Sequence, residues 1–116
     1  MQENKYNSSN ILYDFDLESL DEIMQFLAQQ LKTRRLERGL SREALSMMSG
    51  VPVPTITKFE QKATISLKQY AAICKAMGYK QHLKDMMAQP IYHTMAELEI
   101  IQKNQNRKHG RNTFGK

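Results

Sequence analysis

The chain has 116 residues, enough for one modest hydrophobic core, and carries a net charge of +5. It lacks an apolar run near the ~18 residues that a membrane-spanning helix needs, and its first residues, MQENKYNSSN, lack the basic start and apolar stretch of a secretory signal. The single cysteine, Cys74, excludes an internal disulfide, so we expect a cytoplasmic protein with no membrane contact.

Charge is distributed unevenly along the chain. Residues 1–22 contain six acidic side chains and one basic side chain, whereas residues 102–116 contain five basic side chains and no acidic one. The residues between them, 23–101, contain eleven basic and six acidic side chains. A basic middle and tail that follow an acidic segment indicate a polyanionic partner.

Residues 1–18 are predicted to form a flexible acidic arm. The first dozen residues are rich in Asn and Ser, which predicts mobility. Tyr13, Phe15 and Leu17 then alternate with acidic residues, in the period of two that is typical of a strand. This short segment is expected to pack on the first helix; the alternative is that it adds a strand to a partner or to the second copy in a dimer.

Helix-forming residues and apolar spacings of three to four predict an all-α fold. Ser19 and Glu22 make a capping box that begins a long first helix, and Gly39 ends that helix. The inward stripe of this helix is predicted to consist of Leu20, Ile23, Met24, Leu27, Leu31 and Leu36.

Residues 41–60, SREALSMMSGVPVPTITKFE, predict two short helices joined by a tight turn at Gly50. Glycine supplies the positive φ that a sharp turn often requires, and prolines are tolerated in the first turn of the second of these helices. The inner faces are predicted to be buried through Leu45, Val51, Ile56 and Phe59. The outward face of the second helix is then free for the major groove of DNA.

Three further helices are predicted after this pair. Ser66 caps a fourth helix that Gly78 ends, and its inner face is expected to be Leu67, Tyr70, Ile73, Cys74 and Met77. A short fifth helix is expected around residues 82–88, and Thr94 caps a last helix over roughly 95–104. The predicted organisation is therefore an arm at 1–18, a domain at 19–89, and a C-terminal helix with a basic tail at 90–116.

From residue 20 to residue 88 the chain resembles the Cro/C1-type, or XRE, family of helix-turn-helix DNA-binding domains. The resemblance is carried by LKTRRLERGLSREALSMMSGVPVPTITKFEQ and by ISLKQYAAICKAMGY. It implies a five-helix domain that binds duplex DNA as a homodimer on an inverted repeat, with repression as the default mechanism. Domains of this type also serve as autoregulating antitoxins, including those paired with HipA-type kinases, so a toxin is a possible second partner.

The resemblance also implies roles for individual residues. Arg35 and Glu60 match an ion pair that holds the recognition helix against the first helix. Ser41 and Arg42, at the start of the second helix, match positions that meet phosphate, where aligned N–H dipoles favour an anion. The outward face of the recognition helix corresponds to Val53, Pro54, Thr55 and Lys58, and Lys62 just beyond it is a candidate phosphate contact.

Two of these positions depart from the family pattern. Many relatives carry Gln, Ser, Arg or Asn where this chain has Val53 and Pro54, whose side chains have no hydrogen-bonding group. Direct reading of bases would then depend on Lys58, Thr55 and Arg42, together with DNA shape. The alternative is a protein-interaction module on a helix-turn-helix scaffold with little or no specific DNA binding.

The basic tail and the three histidines are the remaining candidates for a functional role. The tail either follows a phosphate backbone or enters a minor groove, or it is a solvated terminus. The three histidines are scattered, and the sequence contains neither a metal-binding motif nor a phosphate-cradling glycine loop. We therefore expect no enzymatic activity, no catalytic residue, no metal site and no cofactor.

Overall fold

The computed structural model describes residues 17–110, which contain six α-helices and, within this range, no β-strand. The helices are α1 (Leu20–Glu37), α2 (Arg42–Ser49), α3 (Val53–Lys62), α4 (Leu67–Ala76), α5 (Lys80–Asp85) and α6 (Met95–Lys103). The predicted all-α class is confirmed, with α5 beginning and ending earlier than expected. None of the helices in the described part of the chain is long and apolar enough to cross a membrane.

The chain divides into two compact units. One unit spans residues 17–88 and contains α1 to α5, and the other includes residues 89–110 with α6. The alternating segment around Tyr13 and Phe15, and the end of the basic tail at residues 111–116, lie outside the described residues.

Side-chain caps explain where four of the helices begin. Ser19 accepts a hydrogen bond from the backbone N–H of Glu22 at 3.1 Å, and the Glu22 carboxylate accepts one from the N–H of Ser19 at 3.2 Å. Each bond satisfies an N–H group that has no partner inside a helix. Single caps of the same kind start the other three, through Ser41 on α2, Ser66 on α4 and Thr94 on α6.

The turn between α2 and α3 depends on Gly50. Its φ of 76° lies in the left-handed region, and its N–H donates to the carbonyl of Ser46 at 2.8 Å. After this turn, Pro52 precedes α3 and Pro54 lies in its first turn, where a missing N–H costs no helical hydrogen bond. The glycine ends α2, and the two prolines fix where α3 starts.

The core lies in the unit that contains α1 to α5, where α3 packs against α1 and α2, α2 packs against α4, and α4 packs against α5. Leu45, Ile56 and Phe59 have no exposed surface, and Val51 is also buried, so the four predicted core positions of the helix-turn-helix are confirmed. The ring of Phe59 meets the ring of Tyr70 edge to face, with centroids 5.7 Å apart.

The predicted inner stripe of α1 was partly wrong. Leu20, Ile23 and Leu36 are exposed, and the buried residues of α1 are Ala28, Leu31 and Arg35. Ala28 allows close approach of the neighbouring helix, and Arg35 is buried because its charge is paired, as described below. Leu67, predicted to face inward from α4, is also exposed, because the core side of that helix begins one turn later.

Candidate nucleic-acid interface

The side of α3 opposite the core presents three of the four residues predicted to form its DNA-reading face, and the fourth, Val53, does not line the groove there. Ile56 and Phe59 anchor the helix inward, while Pro54 and Lys58 are exposed and Val53 and Thr55 are half-buried. The buried residues of this ten-residue helix are spaced i, i+3. This spacing gives the helix an apolar inner side and a partly polar outer side.

Three of these outward residues line an open groove of about 340 Å³. Pro54, Thr55 and Lys58 form its α3 wall. The opposite wall comes from the loop after α3 and the start of α4, and consists of Thr64, Ile65, Ser66 and Gln69. The sequence predicts Ser66 only as a helix cap, and no pattern in it indicates Thr64 or Gln69 as part of the site. The groove is rich in hydroxyl and amide groups, which suit phosphate and base edges.

The start of α2 carries the two candidate phosphate-binding residues Ser41 and Arg42. Ser41 is exposed, and its oxygen accepts from the N–H of Ala44 at 3.0 Å, so the hydroxyl hydrogen can still donate to an anion. The Nε of Arg42 donates to Glu60 at 3.1 Å. Within residues 17–110, its two terminal nitrogens donate to no protein acceptor, so they are available to a phosphate.

A buried carboxylate connects this region to α1. The Glu60 side chain is 1% exposed and accepts two hydrogen bonds from Arg35, at 2.7 and 2.9 Å, in the bidentate geometry of a strong ion pair. Arg35 also donates to the carbonyl of Leu40 at 2.8 Å, and Arg42 supplies the third bond to the carboxylate. We call Arg35, Arg42 and Glu60 the Glu60 network. In this network the predicted pair, Arg35 and Glu60, is in contact. The third member, Arg42, is a residue to which the resemblance assigns a phosphate contact.

The ionisation of Glu60 follows from these contacts. Burial opposes its charged form, but the hydrogen bonds and positive charges of Arg35, and then of Arg42, outweigh burial and lower the pKa of Glu60. In return, the hydrogen bond to Glu60 raises the pKa of Arg35 despite its burial. Glu60 is therefore ionised near neutral pH, and two arginines with one carboxylate give the network a net positive charge beside α3.

Lys58 and Lys62 add positive charge to the same helix. Both side chains are exposed, and neither forms an ion pair with a carboxylate in the described part of the chain. An unpaired lysine at an exposed position is a mobile point charge that suits the phosphate backbone. The α3 side of the domain therefore combines a polar groove, free lysines and an arginine held by a buried acid.

Comparison with known proteins gives one match. A helix-turn-helix family model, of the Cro/C1 type, matches residues 31–80, from within α1 to the start of α5. The matched range includes every residue of the Glu60 network and every predicted DNA-facing position. No curated protein and no solved structure matches the chain.

Proposed function

We propose that this chain, whose residues 31–80 form a Cro/C1-type helix-turn-helix domain of the kind found in DNA-binding transcription regulators, is a sequence-specific regulator that binds duplex DNA as a homodimer. The observation that carries the proposal is the orientation of α3. Its inner residues Ile56 and Phe59 are fully buried, and its outer residues line an open polar groove. In this arrangement α3 enters the major groove.

Contacts to phosphate and contacts to bases come from different residues in this proposal. Ser41, Arg42 and Lys62 hold phosphates and position the domain, as does the start of α4. Lys58 donates to guanine O6 or N7, Thr55 reaches a base edge, and Val53 meets a thymine methyl group. Pro54 shapes the groove and contributes no hydrogen bond.

Repression is the proposed mode of regulation. Two subunits bind the half-sites of a near-palindrome about one helical turn apart, roughly 34 Å, and exclude polymerase from that stretch of DNA. This mode requires no ligand-sensing domain, and it places the protein in the cytoplasm. We propose a binding function without catalysis.

An autoregulating antitoxin is a finer version of the same proposal. The chain carries segments beyond the matched residues 31–80, namely the acidic N-terminal residues and the region around α6. These segments are the candidate binding surface for a toxin, with a HipA-type kinase as the proposed class. Co-expression of the full chain with such a kinase from the same genome, followed by purification, tests this version. A stable complex supports it, and separate elution contradicts it.

The experiment that tests DNA binding is selection from a pool of random duplexes at physiological salt, followed by sequencing of the bound molecules. An enriched inverted repeat is the expected result, and the distance between its half-sites gives the dimer geometry. Binding without enrichment would favour the protein-interaction alternative. Val53 and Pro54 are the observation behind that alternative, because neither offers a hydrogen bond to a base edge.

Lys58→Ala should weaken binding to the selected site by about 1–3 kcal/mol and relax preference at one base position. The reason is the loss of a donor to guanine from the groove wall of α3. The measurement is a binding isotherm on the selected duplex and on duplexes changed at single positions. Lys32→Ala, which removes an exposed lysine from α1, is the control and should bind as the natural chain does. Equal affinities for both variants would remove Lys58 from the reading surface.

A further inference from the structure

The three hydrogen bonds to the Glu60 carboxylate are not equivalent. Arg35 forms two of them, at 2.7 and 2.9 Å, and its side chain is 6% exposed. Arg42 forms the third, at 3.1 Å, from a side chain that is 29% exposed. The two bonds from Arg35 involve both carboxylate oxygens and form a complete bidentate pair. The bond from Arg42 is therefore additional to the pair that connects α3 to α1.

The third bond restricts the side chain of Arg42. Arginine has a long side chain that loses conformational entropy when it becomes ordered. Because the guanidinium is planar and rigid, a hydrogen bond from its Nε to a buried oxygen restricts the position of the whole group. Within residues 17–110, the two terminal nitrogens of Arg42 donate to no protein acceptor. The guanidinium is thus ordered in the free protein, while its terminal N–H groups stay available.

The Glu60 network orders Arg42 without cancelling its charge. A carboxylate that paired with Arg42 alone would form a neutral pair, and a neutral pair attracts a phosphate only weakly. Here Arg35 already supplies one positive charge to the Glu60 carboxylate, so two arginines share one acid. The positive charge of Arg42 therefore remains available to an anion. Arg42 is also the first residue of α2, where the helix dipole favours negative charge.

We propose that Glu60 is a positioning residue for DNA binding, which holds the guanidinium of Arg42 so that its two terminal nitrogens meet a backbone phosphate. This proposal rests on the proposed function and adds a role for a residue that does not touch DNA, since the Glu60 side chain is 1% exposed. A group that is ordered before binding loses less entropy on binding, which increases affinity without a new contact.

The positioning role and simple electrostatics predict opposite effects when the charge of Glu60 is removed. If charge alone mattered, the loss of an acid beside the DNA surface would strengthen binding to a polyanion. Glu60→Gln removes the charge but has only one acceptor oxygen, which we expect the more buried Arg35 to keep, so that Arg42 is released. Binding to the selected duplex should therefore weaken, by about threefold per subunit and roughly tenfold for a dimer.

A double-mutant cycle in DNA affinity separates positioning from a purely structural role. The affinity for the selected duplex is measured for the natural chain, Glu60→Gln, Arg42→Ala and the double variant. Glu60→Gln should weaken binding by the natural chain but cause no loss in the Arg42→Ala background, which has no guanidinium to hold. An equal loss in both backgrounds would give Glu60 a structural role alone and overturn the proposal.

Glu43→Gln is the matched control for charge. Glu43 is exposed in the first turn of α2, and its charge acts on Arg35. In the described part of the chain its side chain forms no hydrogen bond and no salt bridge. Its removal should strengthen DNA binding slightly, as expected for charge alone. The proposal would be overturned by tighter binding in Glu60→Gln, or by an equal loss in Glu43→Gln.

NMR of the arginine Nε–H groups tests the bond from Arg42 to Glu60 directly, in the natural chain and without DNA. The signal of Arg42 is assigned by its loss in Arg42→Lys. Its Nε–H should exchange with water at least about tenfold more slowly than that of a free arginine, because it is held by a buried acceptor. Exchange as fast as in a free arginine would overturn the proposal. This measurement also applies if circular dichroism shows that Glu60→Gln does not fold.

Failure of this proposal and failure of the proposed function give different results. If the natural chain selects no DNA sequence, the proposed function fails, and the positioning role fails with it. A different pattern would overturn the positioning role alone. In that pattern the natural chain selects an inverted repeat and Arg42→Ala weakens binding, while Glu60→Gln causes the same loss with and without Arg42.

Discussion

Glu60→Ala should lower the free energy of unfolding by about 3–5 kcal/mol, because it removes one partner of a buried ion pair and leaves the other charged. Arg35 is 5% exposed and directs its guanidinium to the Glu60 carboxylate, so the substitution leaves a buried cation without a counter-charge. A small domain has only about 5–15 kcal/mol of stability in total. Urea unfolding followed by circular dichroism measures the loss.

An exposed pair on the same helix provides the control. Arg34 and Glu37 form a salt bridge at 3.0 Å, with side chains that are 41% and 51% exposed. Exposed pairs contribute about 0–1 kcal/mol, so Glu37→Ala should change stability by less than about 1 kcal/mol. Similar losses in the two variants would mean that the buried pair contributes no more than a surface contact.

The same carboxylate predicts a dependence of stability on pH. Its folded pKa is lowered below the usual 4.5, so its ionised form stabilises the fold above that value, and the contribution disappears as the pH falls through the lower folded pKa. The free energy of unfolding of the natural chain should therefore fall more steeply below about pH 4.5 than that of Glu60→Gln, which has no carboxylate to protonate. Parallel slopes in acid would assign the acid sensitivity to other groups.

DNA affinity should fall roughly a hundredfold between 50 and 200 mM salt. Arg42 and Lys62 are the cationic candidates for phosphate contact, so a dimer makes about four such contacts. Each contact contributes about −0.9 to the slope of log affinity against log salt. Arg42→Ala should flatten this slope by about one unit per subunit. Titration of the selected duplex at five or six salt concentrations gives the slopes.

The role of Arg42 in the Glu60 network requires a separate check. Its Nε donates to Glu60, so Arg42→Ala also removes a contact within the protein. Arg42→Lys keeps the positive charge and should keep the slope. It loses the planar guanidinium, whose N–H groups can donate to the carboxylate and to a phosphate at the same time. An unchanged slope in Arg42→Ala, with the fold intact, would remove this residue from the phosphate contacts.

The helix-turn-helix itself could be predicted from local signals. Gly50 marks a left-handed turn, Pro52 and Pro54 mark a helix start, and the spacing of Leu45 and Phe59 identifies the core side. Each of these signals arises within a few residues of the feature that it predicts. Backbone sterics and helical periodicity therefore suffice for this part of the fold.

The inner side of α1 could not be predicted in the same way. The helix contains more apolar residues at spacings of three and four than one core side can bury, so the pattern predicts that Leu20 and Ile23 face inward although they are exposed. At the other end, Arg35 is buried where a hydrophobicity pattern expects a surface residue. Its burial depends on Glu60, which is 25 residues away in the sequence.

The second wall of the groove could not be predicted from the sequence either. Thr64 and Gln69 are small or polar residues without periodicity, and they reach the groove that Lys58 lines because α3 ends at Lys62 and the chain turns at Ala63. Ala63 has a φ of 56°, a left-handed conformation that the sequence usually marks with glycine. Because Ala63 and not glycine occupies this position, the sequence does not predict the turn that leads to α4.

The buried and the outer residues of α3 are different residues, which matters for protein engineering and for evolutionary divergence. Ile56, Phe59 and Glu60 make the buried contacts of this helix, whereas Pro54, Thr55 and Lys58 line the groove on its outer side. Because the two sets do not overlap, the outer residues can be exchanged together while the packing and the Glu60 network stay unchanged. Under the proposed function, target preference could therefore be changed by a handful of substitutions on α3 with little loss of stability.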